Sequence, residues 1–270
     1  MPALYAHLRF GNEVLNGLPK SFQALTTEYS EAFALGTQGP DILFYHKPMK
    51  KNEIRLYGTK LHEKNGFWVF DSARKHRTNE SSAYNAYLLG FLCHFTLDLF
   101  CHPYIDQTMH DSLSHGKIES EFDKFLLRKD GKPIRGYNTA TPIIDKNGTS
   151  EASALLLGVP QDNIAKAIKT MRKINGWFSK KGELFHSIAH TFLKIAKMER
   201  KFGDMFLHKK DNPLCLETNA VLEKKFTEAI PVAKKFIIHY FDTPINEALN
   251  KEIFDGCFRY DFSGNLQTEV

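Results

Sequence analysis

Five side chains with metal-binding chemistry crowd into the stretch from Leu88 to Leu127. His94, Asp98 and His102 fall at i, i+4 and i+8, and His115 and Glu119 are again four apart. At 3.6 residues per turn, each set lies along one helix face. The residues between them are mostly apolar, so an ionised Asp or Glu on such a face is costly to bury unless it is paired or bound to a metal. Imidazole and carboxylate together are a zinc ligand set. A single His or Asp in an apolar helix is more often a hydrogen-bonded core residue, and one i, i+4 pair is common on any helix. Two pairs with a third His between them make a zinc centre the leading reading.

The pattern His94-x-x-x-Asp98, then His102, then His115-x-x-x-Glu119 resembles the ligand core of the zinc-dependent phospholipase C family, whose fold is shared by single-strand-specific zinc nucleases. His7 in Tyr-Ala-His, Asp41 in Gly-Pro-Asp and His62 in Gly-Thr-Lys-Leu-His follow the family's chain order. The resemblance covers roughly residues 1 to 130. It implies an all-α fold, a compact multi-helix bundle with a multinuclear metal cleft. It also implies two or three zinc ions. Asp41, His62, His94 and Asp98 would hold one, and His102, His115 and Glu119 another. A third would share Asp98 and take His7. The expected activity is phospholipase C-like hydrolysis of a phosphodiester by metal-activated water, with Asp41 as catalytic base and a phosphate ester, a phospholipid first, as substrate.

The sequence departs from the family at two places. Secreted members complete the third site with a processed N-terminal Trp, where this chain begins Met1-Pro2. Choline-phospholipid enzymes place a Tyr after the catalytic Asp, where this chain has Ile42, leaving Tyr45 as the nearest headgroup candidate. Phe67 and Trp68 are further candidates for a substrate wall. Two alternatives stay open: a single-strand nuclease or nucleotide phosphatase, which needs aromatic walls such as Phe67, Trp68 and Tyr104 to stack a base, and a non-catalytic helical protein stabilised by metal. Nucleic acid is the less expected partner.

The composition fits a globular chain: 42% hydrophobic and 25% charged residues. The formal charge of +5 comes from basic residues scattered along the chain, which favours phosphate-bearing substrates without singling out nucleic acid. Twelve His suit a metal protein. Cys93, Cys101, Cys215 and Cys257 form no Cys-x-x-Cys pair. The start lacks a basic stretch followed by an apolar one, and His94 and Asp98 interrupt the longest apolar run. The expectation is a cytoplasmic protein with no transmembrane segment.

The elements that must position these residues are helices in a single domain over residues 1–270. Residues 1–35 read as short helices. Gly39-Pro40 reads as a turn that presents Asp41, or as the approach to an Asp41 N-cap. Residues 46–79 read as polar and irregular. Ser81-Ser82 opens a central helix whose Ala83, Tyr84, Tyr87, Leu88, Phe91, Leu92 and Phe95 recur at helical spacing. That helix is expected to break near His102-Pro103 and resume around Ser114. Residues 128–150 read as a loop or short β-like hairpin. Helices follow over 153–178, starting again at Pro160 with Gly176 as a stop, then over 182–206, 221–240 and 243–254, before a tail over 259–270. His186 and His190, within the 182–206 helix, read as polar-face or core residues.

Overall fold

A single buried helix sets the architecture. The structure, a computed structural model, describes residues 4–179, 203, 207 and 210–249. Among them the elements are α1 (Leu4–Leu15), α2 (Lys20–Glu28), α3 (Ser30–Gly36), a 3-10 segment (Gly39–Tyr45), α4 (Glu53–His62), α5 (Gly66–Ala73), α6 (Ala83–Thr108), α7 (His115–Lys129), α8 (Thr149–Leu157), α9 (Gln161–Phe178) and α10 (Leu216–Asp242). The expected all-α class holds. The described residues contain no strand, only an isolated bridge between His110 and Leu113.

Helix α6 starts where Ser82 accepts a hydrogen bond from the Asn85 amide, a side-chain N-cap. The fifteen residues from Tyr84 to Asp98 are all buried, because α3, α8 and α10 pack around the helix. The tightest approach is to α3. A Cβ on Gly36 would run into the Tyr87 carbonyl and lie 3.1 Å from the Gly90 Cα, so the two backbones touch through paired glycines. By length and composition α6 could cross a membrane, even with His94 and Asp98 interrupting its apolar run. However, 78% of its apolar window is buried inside the protein, the pattern of a core helix.

The helix does not break at Pro103. It runs through to Thr108, and the proline's missing N–H costs one i→i−4 bond without ending the element. His94, Asp98 and His102 therefore stay in register on one continuous helix. Helix α7 begins afresh, with Ser114 accepting from the Lys117 amide.

Residues 46–79 are also more ordered than their polarity suggests. Asn52 and Asn65 accept from the amides of Arg55 and Phe67 and so start α4 and α5. The helix expected over 153–178 is two, divided at Gly158, whose φ of +66° ends α8 in a left-handed C-cap. Helix α9 begins at Gln161 as expected but passes Gly176 before ending. The loop after α7 tucks Ala140 and Ile143 into the core. The expectations for 182–202, the tail, His186, His190 and Cys257 lie outside the described residues. The helix expected over 243–254 is not formed over its described part: α10 ends at Asp242 with Thr243 as its C-cap, and 243–249 are turn, bend and irregular chain.

Candidate metal centre

All eight ligand candidates converge at the middle of α6. His94, Asp98 and His102 line one face of α6; His7 comes from α1, Asp41 from the 3-10 segment, His62 from the last residue of α4, and His115 and Glu119 from the first turns of α7. Three groups, His7–His94–Asp98, Asp41–His62–His94 and His102–His115–Glu119, each offer one ligand atom per residue with all atoms within 4.8 Å of one another. Each group could hold a metal ion.

The Asp98 carboxylate is the hub. Its Oδ1 lies 3.3 Å from Nε2 of both His7 and His102, and its Oδ2 lies 3.0 Å from Nε2 of His94. Glu119 Oε1 is a second hub, 3.6 Å from His102 Nε2 and 3.3 Å from His115 Nε2. Asp41 Oδ1 lies 3.1 Å from His62 Nε2. The rings of His7 and His94 are stacked with centroids 4.3 Å apart, and His102 meets His115 edge-on at 5.0 Å.

The far side of three imidazoles is also engaged. His94 Nδ1 faces the Thr37 carbonyl at 3.2 Å, His62 Nδ1 faces the Gly58 carbonyl at 2.7 Å, and His115 Nδ1 faces Asp106 Oδ1 at 3.1 Å. An imidazole that donates Nδ1–H to a carbonyl keeps its Nε2 lone pair for a ligand, the arrangement by which proteins fix metal-binding histidines. Asp106 was not a sequence candidate. It lies one turn past Pro103, and its relation to His115 appears only once α6 is seen to continue. Phe44, also missed, stacks on His62 with centroids 5.4 Å apart.

Burial grades across the cluster. The side chains of His94, Asp98 and His7 are at most 5% exposed, whereas Asp41 reaches 22% and His115 34%. The centre thus opens to solvent along the Asp41, His62 and His115 edge. His7, Asp98, His102 and Glu119, together with Leu97, Ile105 and Phe122, line a cavity of about 20 Å³, room for about one water.

Charge balance follows the same geometry. Burial alone would raise the Asp98 and Glu119 carboxyls, but their imidazole neighbours hold both well below the usual carboxylate range. Burial disfavours the charged form of His102, yet Asp98 and Glu119 push it up to about 10. His94 and His115 are raised by their carboxylates in the same way. His7 is lowered, by burial and by the facing His94, and its buried Nδ1 has no hydrogen-bond partner. Imidazoles and carboxylates thus favour one another's charged forms across the cluster, His7 excepted. The donor set of imidazoles and carboxylates, with Nδ1 atoms held from behind, fits zinc.

Two local devices aim the ligands. Gly39 has φ +51°, a left-handed conformation open to glycine, and its missing Cβ leaves space for the His94 ring. Asp41 sits inside the 3-10 turn; Gln38 stands at the N-cap with no side-chain bond, so the capping alternative does not hold. Asp123, from α7, accepts from the amides of Tyr5 (3.1 Å) and Ala6 (2.8 Å), and Asp130 accepts from the Tyr5 hydroxyl and Arg9. These two carboxylates fasten α1, and with it His7, onto α7. Burial pushes Asp123 up to about 8 despite its two amide donors.

The aromatic candidates separate. Tyr45 is buried and its hydroxyl accepts from Asn175 Nδ2 at 3.3 Å, so it is a core residue with no face toward solvent. The expected headgroup role for Tyr45 is not supported by this placement, because the 3-10 turn directs it inward. Phe67 packs partly against the core, Trp68 is 66% exposed, and the Tyr104 ring carries Lys225 Nζ at 5.9 Å from its centroid.

Comparison with known families agrees with this geometry. The family described as zinc dependent phospholipase C matches residues 6–169, a span that contains every ligand candidate. The chain belongs to the zinc-dependent phospholipase C family, and with it to a class of zinc-dependent hydrolases acting on phosphoesters. No curated protein and no solved structure matches the chain significantly.

Proposed function

We propose that this protein is a zinc-dependent phosphodiesterase of the phospholipase C type, with two or three zinc ions and a phospholipid as substrate. The observation that supports the reading is the convergence of eight ligand side chains from five elements into three adjoining groups around the middle of α6, with three imidazoles held from behind. Asp41, His62, His94 and Asp98 would hold one ion, His102, His115 and Glu119 a second, and His7 with Asp98 a third. When bound, zinc supplies Lewis acidity toward phosphate oxygens and makes a nearby water acidic near neutral pH.

The chain's own residues do the rest. Burial raises the Asp41 carboxyl, but the His62 hydrogen bond and nearby positive charge bring it below the usual carboxylate range. It is therefore ionised at neutral pH and a weak base, suited to orienting a water and accepting a proton that has already become acidic. The partly exposed Asp41–His62–His115 edge admits the phosphate, while the dry His7–His94–Asp98 end excludes bulk water. Substrate chemistry beyond the phosphodiester follows from the walls. A base-stacking nuclease is less favoured, since of its three candidate aromatics Phe67 and Tyr104 pack partly against the core, which leaves Trp68 as the exposed one.

The test is zinc content together with turnover. Protein purified without chelator should carry two or three zinc atoms per chain and cleave a phospholipid at the headgroup phosphodiester. His94→Ala and Asp98→Ala should lose metal and activity together, and Asp41→Asn should lose turnover more than stability. Full zinc content in either of the first two variants would sink the ligand assignment. Zinc without any phosphoester turnover would leave a metal-stabilised scaffold.

A further inference from the structure

Although basic residues occur along the whole chain, its net charge is not evenly spread. Residues 47–64 hold six cationic side chains (Lys47, Lys50, Lys51, Arg55, Lys60 and Lys64) against Glu53 and Glu63, a net of four positive charges in a chain whose formal total is +5. That segment and Trp68, four residues beyond it, carry three of the most exposed large hydrophobic side chains among the described residues: Met49 (59%), Leu56 (59%) and Trp68 (66%). Exposed apolar groups set among lysines combine the two attractions that draw a protein onto an anionic lipid surface.

The region is built and held in place. Asn52 Nδ2 donates to the carbonyls of His46, Lys47 and Lys50, and Arg55 donates to those of Pro48 and Lys50. Lys47 sits at φ +43°, bending the chain so that Pro48 turns inward while Lys47, Met49, Lys50 and Lys51 face solvent. This loop therefore packs against the Arg55 edge of α4. His62 is seven residues further on, hence on that same edge about 10 Å along the axis. The edge is the one along which the metal centre opens. Leu56 and Lys60, one turn apart, both point away from the core, and α5 with Trp68 begins at Gly66, just after α4 ends at His62.

We infer that the 47–64 segment and Trp68 form a docking surface for an anionic phospholipid bilayer, which seats the protein with the Asp41–His62 mouth toward the headgroups. The inference rests on the phosphodiesterase reading for its purpose but not for its test. Lysines penetrate no further than the headgroup layer, where each contributes by proximity to anionic lipid, while Met49, Leu56 and Trp68 enter the acyl boundary.

The zinc-loaded full chain is mixed with vesicles of phosphatidylcholine alone or of phosphatidylcholine with phosphatidylserine, and bound protein is measured by flotation. Binding should require phosphatidylserine, weaken with salt, and fall about fivefold for each of Lys50→Gln and Lys51→Gln. Met49→Ser with Leu56→Ser should reduce it further. In a Trp177→Phe background the emission of Trp68 should shift to the blue on binding. Equal binding by the wild type and these variants, equal binding to neutral vesicles, or capture of single-stranded nucleic acid in place of vesicles would overturn the inference. Turnover of a water-soluble phosphodiester, read in parallel, separates the two readings. Docking without turnover sinks the reaction and keeps the surface, whereas turnover without docking sinks the surface alone.

Discussion

Gly39 and His94 occupy space that a single methyl group would contest. A Cβ on Gly39 would overlap the His94 ring and stand 2.6 Å from its Nε2, the atom that faces Asp98. Gly39→Ala must therefore displace the imidazole as well as strain a left-handed backbone. The combined cost is about 2–4 kcal/mol from overpacking and the αL penalty. Denaturant melts should register that loss, and zinc analysis should register an ion missing from the His94 end. A variant with native stability and full zinc would show that the ring can move aside without consequence.

Asp123 is the buried one of the two carboxylates that fix α1. Replacing it with Ala leaves the amides of Tyr5 and Ala6 without an acceptor in a buried position, at about 1–3 kcal/mol. His7 should lose its placement, while the His102–His115–Glu119 group keeps its own. The expected result is a chain that retains zinc at the outer group and binds one ion fewer overall. Loss of all metal would mean that α1 supports the whole centre.

Asp106 holds His115 from behind, and it is exposed, so its removal should disturb little else. Asp106→Asn is expected to weaken zinc at the outer group roughly tenfold to a hundredfold, the usual effect of losing a partner behind a metal-binding histidine. Competition with a chromophoric chelator measures this directly. An unchanged affinity would leave the Asp106–His115 contact as a surface pair.

The pH dependence of stability should differ between metal-free and zinc-loaded protein. His94, His102 and His115 have folded-state values raised above 6.5, with His102 near 10. Their contribution is complete below about 6.5 and is lost as pH rises through their raised values, which for His102 means toward about 10. Asp98 and Glu119 are lowered, so their contribution is complete above the ordinary carboxylate range and lost on acidification. His7, lowered, works against the other histidines by losing stability as pH falls through 6.5. The cluster of the metal-free protein should thus support folding best between about pH 4.5 and 6.5. Zinc requires neutral imidazoles, so the zinc-loaded protein should gain stability over the range in which the metal-free one loses it. Thermal melts with and without chelator at pH 6 and pH 9 test the crossing of the two trends.

Much of this centre is legible in the spacing of His94, Asp98, His102, His115 and Glu119, because ligands on helices must recur at the helical period. The Ser82 start of α6 is legible for the same local reason. What spacing does not carry is contact between distant parts of the chain. Pro103 looks like a stop, yet neighbouring helices keep α6 intact through it. Tyr45 looks available to substrate, yet the turn that exposes Asp41 sends it inward toward Asn175. Asp106, Phe44 and the carbonyls of Thr37 and Gly58 make sense as supports only when α6, α4 and the 3-10 segment are seen together. The polar stretch 46–79 hides two helices, since asparagine caps start them and only a few apolar residues anchor each.

The gradient of burial from His94 to His115 also sets a clock. An ion at the outer group faces solvent and can leave without rearrangement, so it should equilibrate quickly with the surrounding zinc. One held by His7 and Asp98 would be shut in by α1, so its release should wait on α1 lifting from α7 against the Asp123 and Asp130 fastenings. Exchange with labelled zinc would then run in two phases, and the slow phase would report how often the first helix opens.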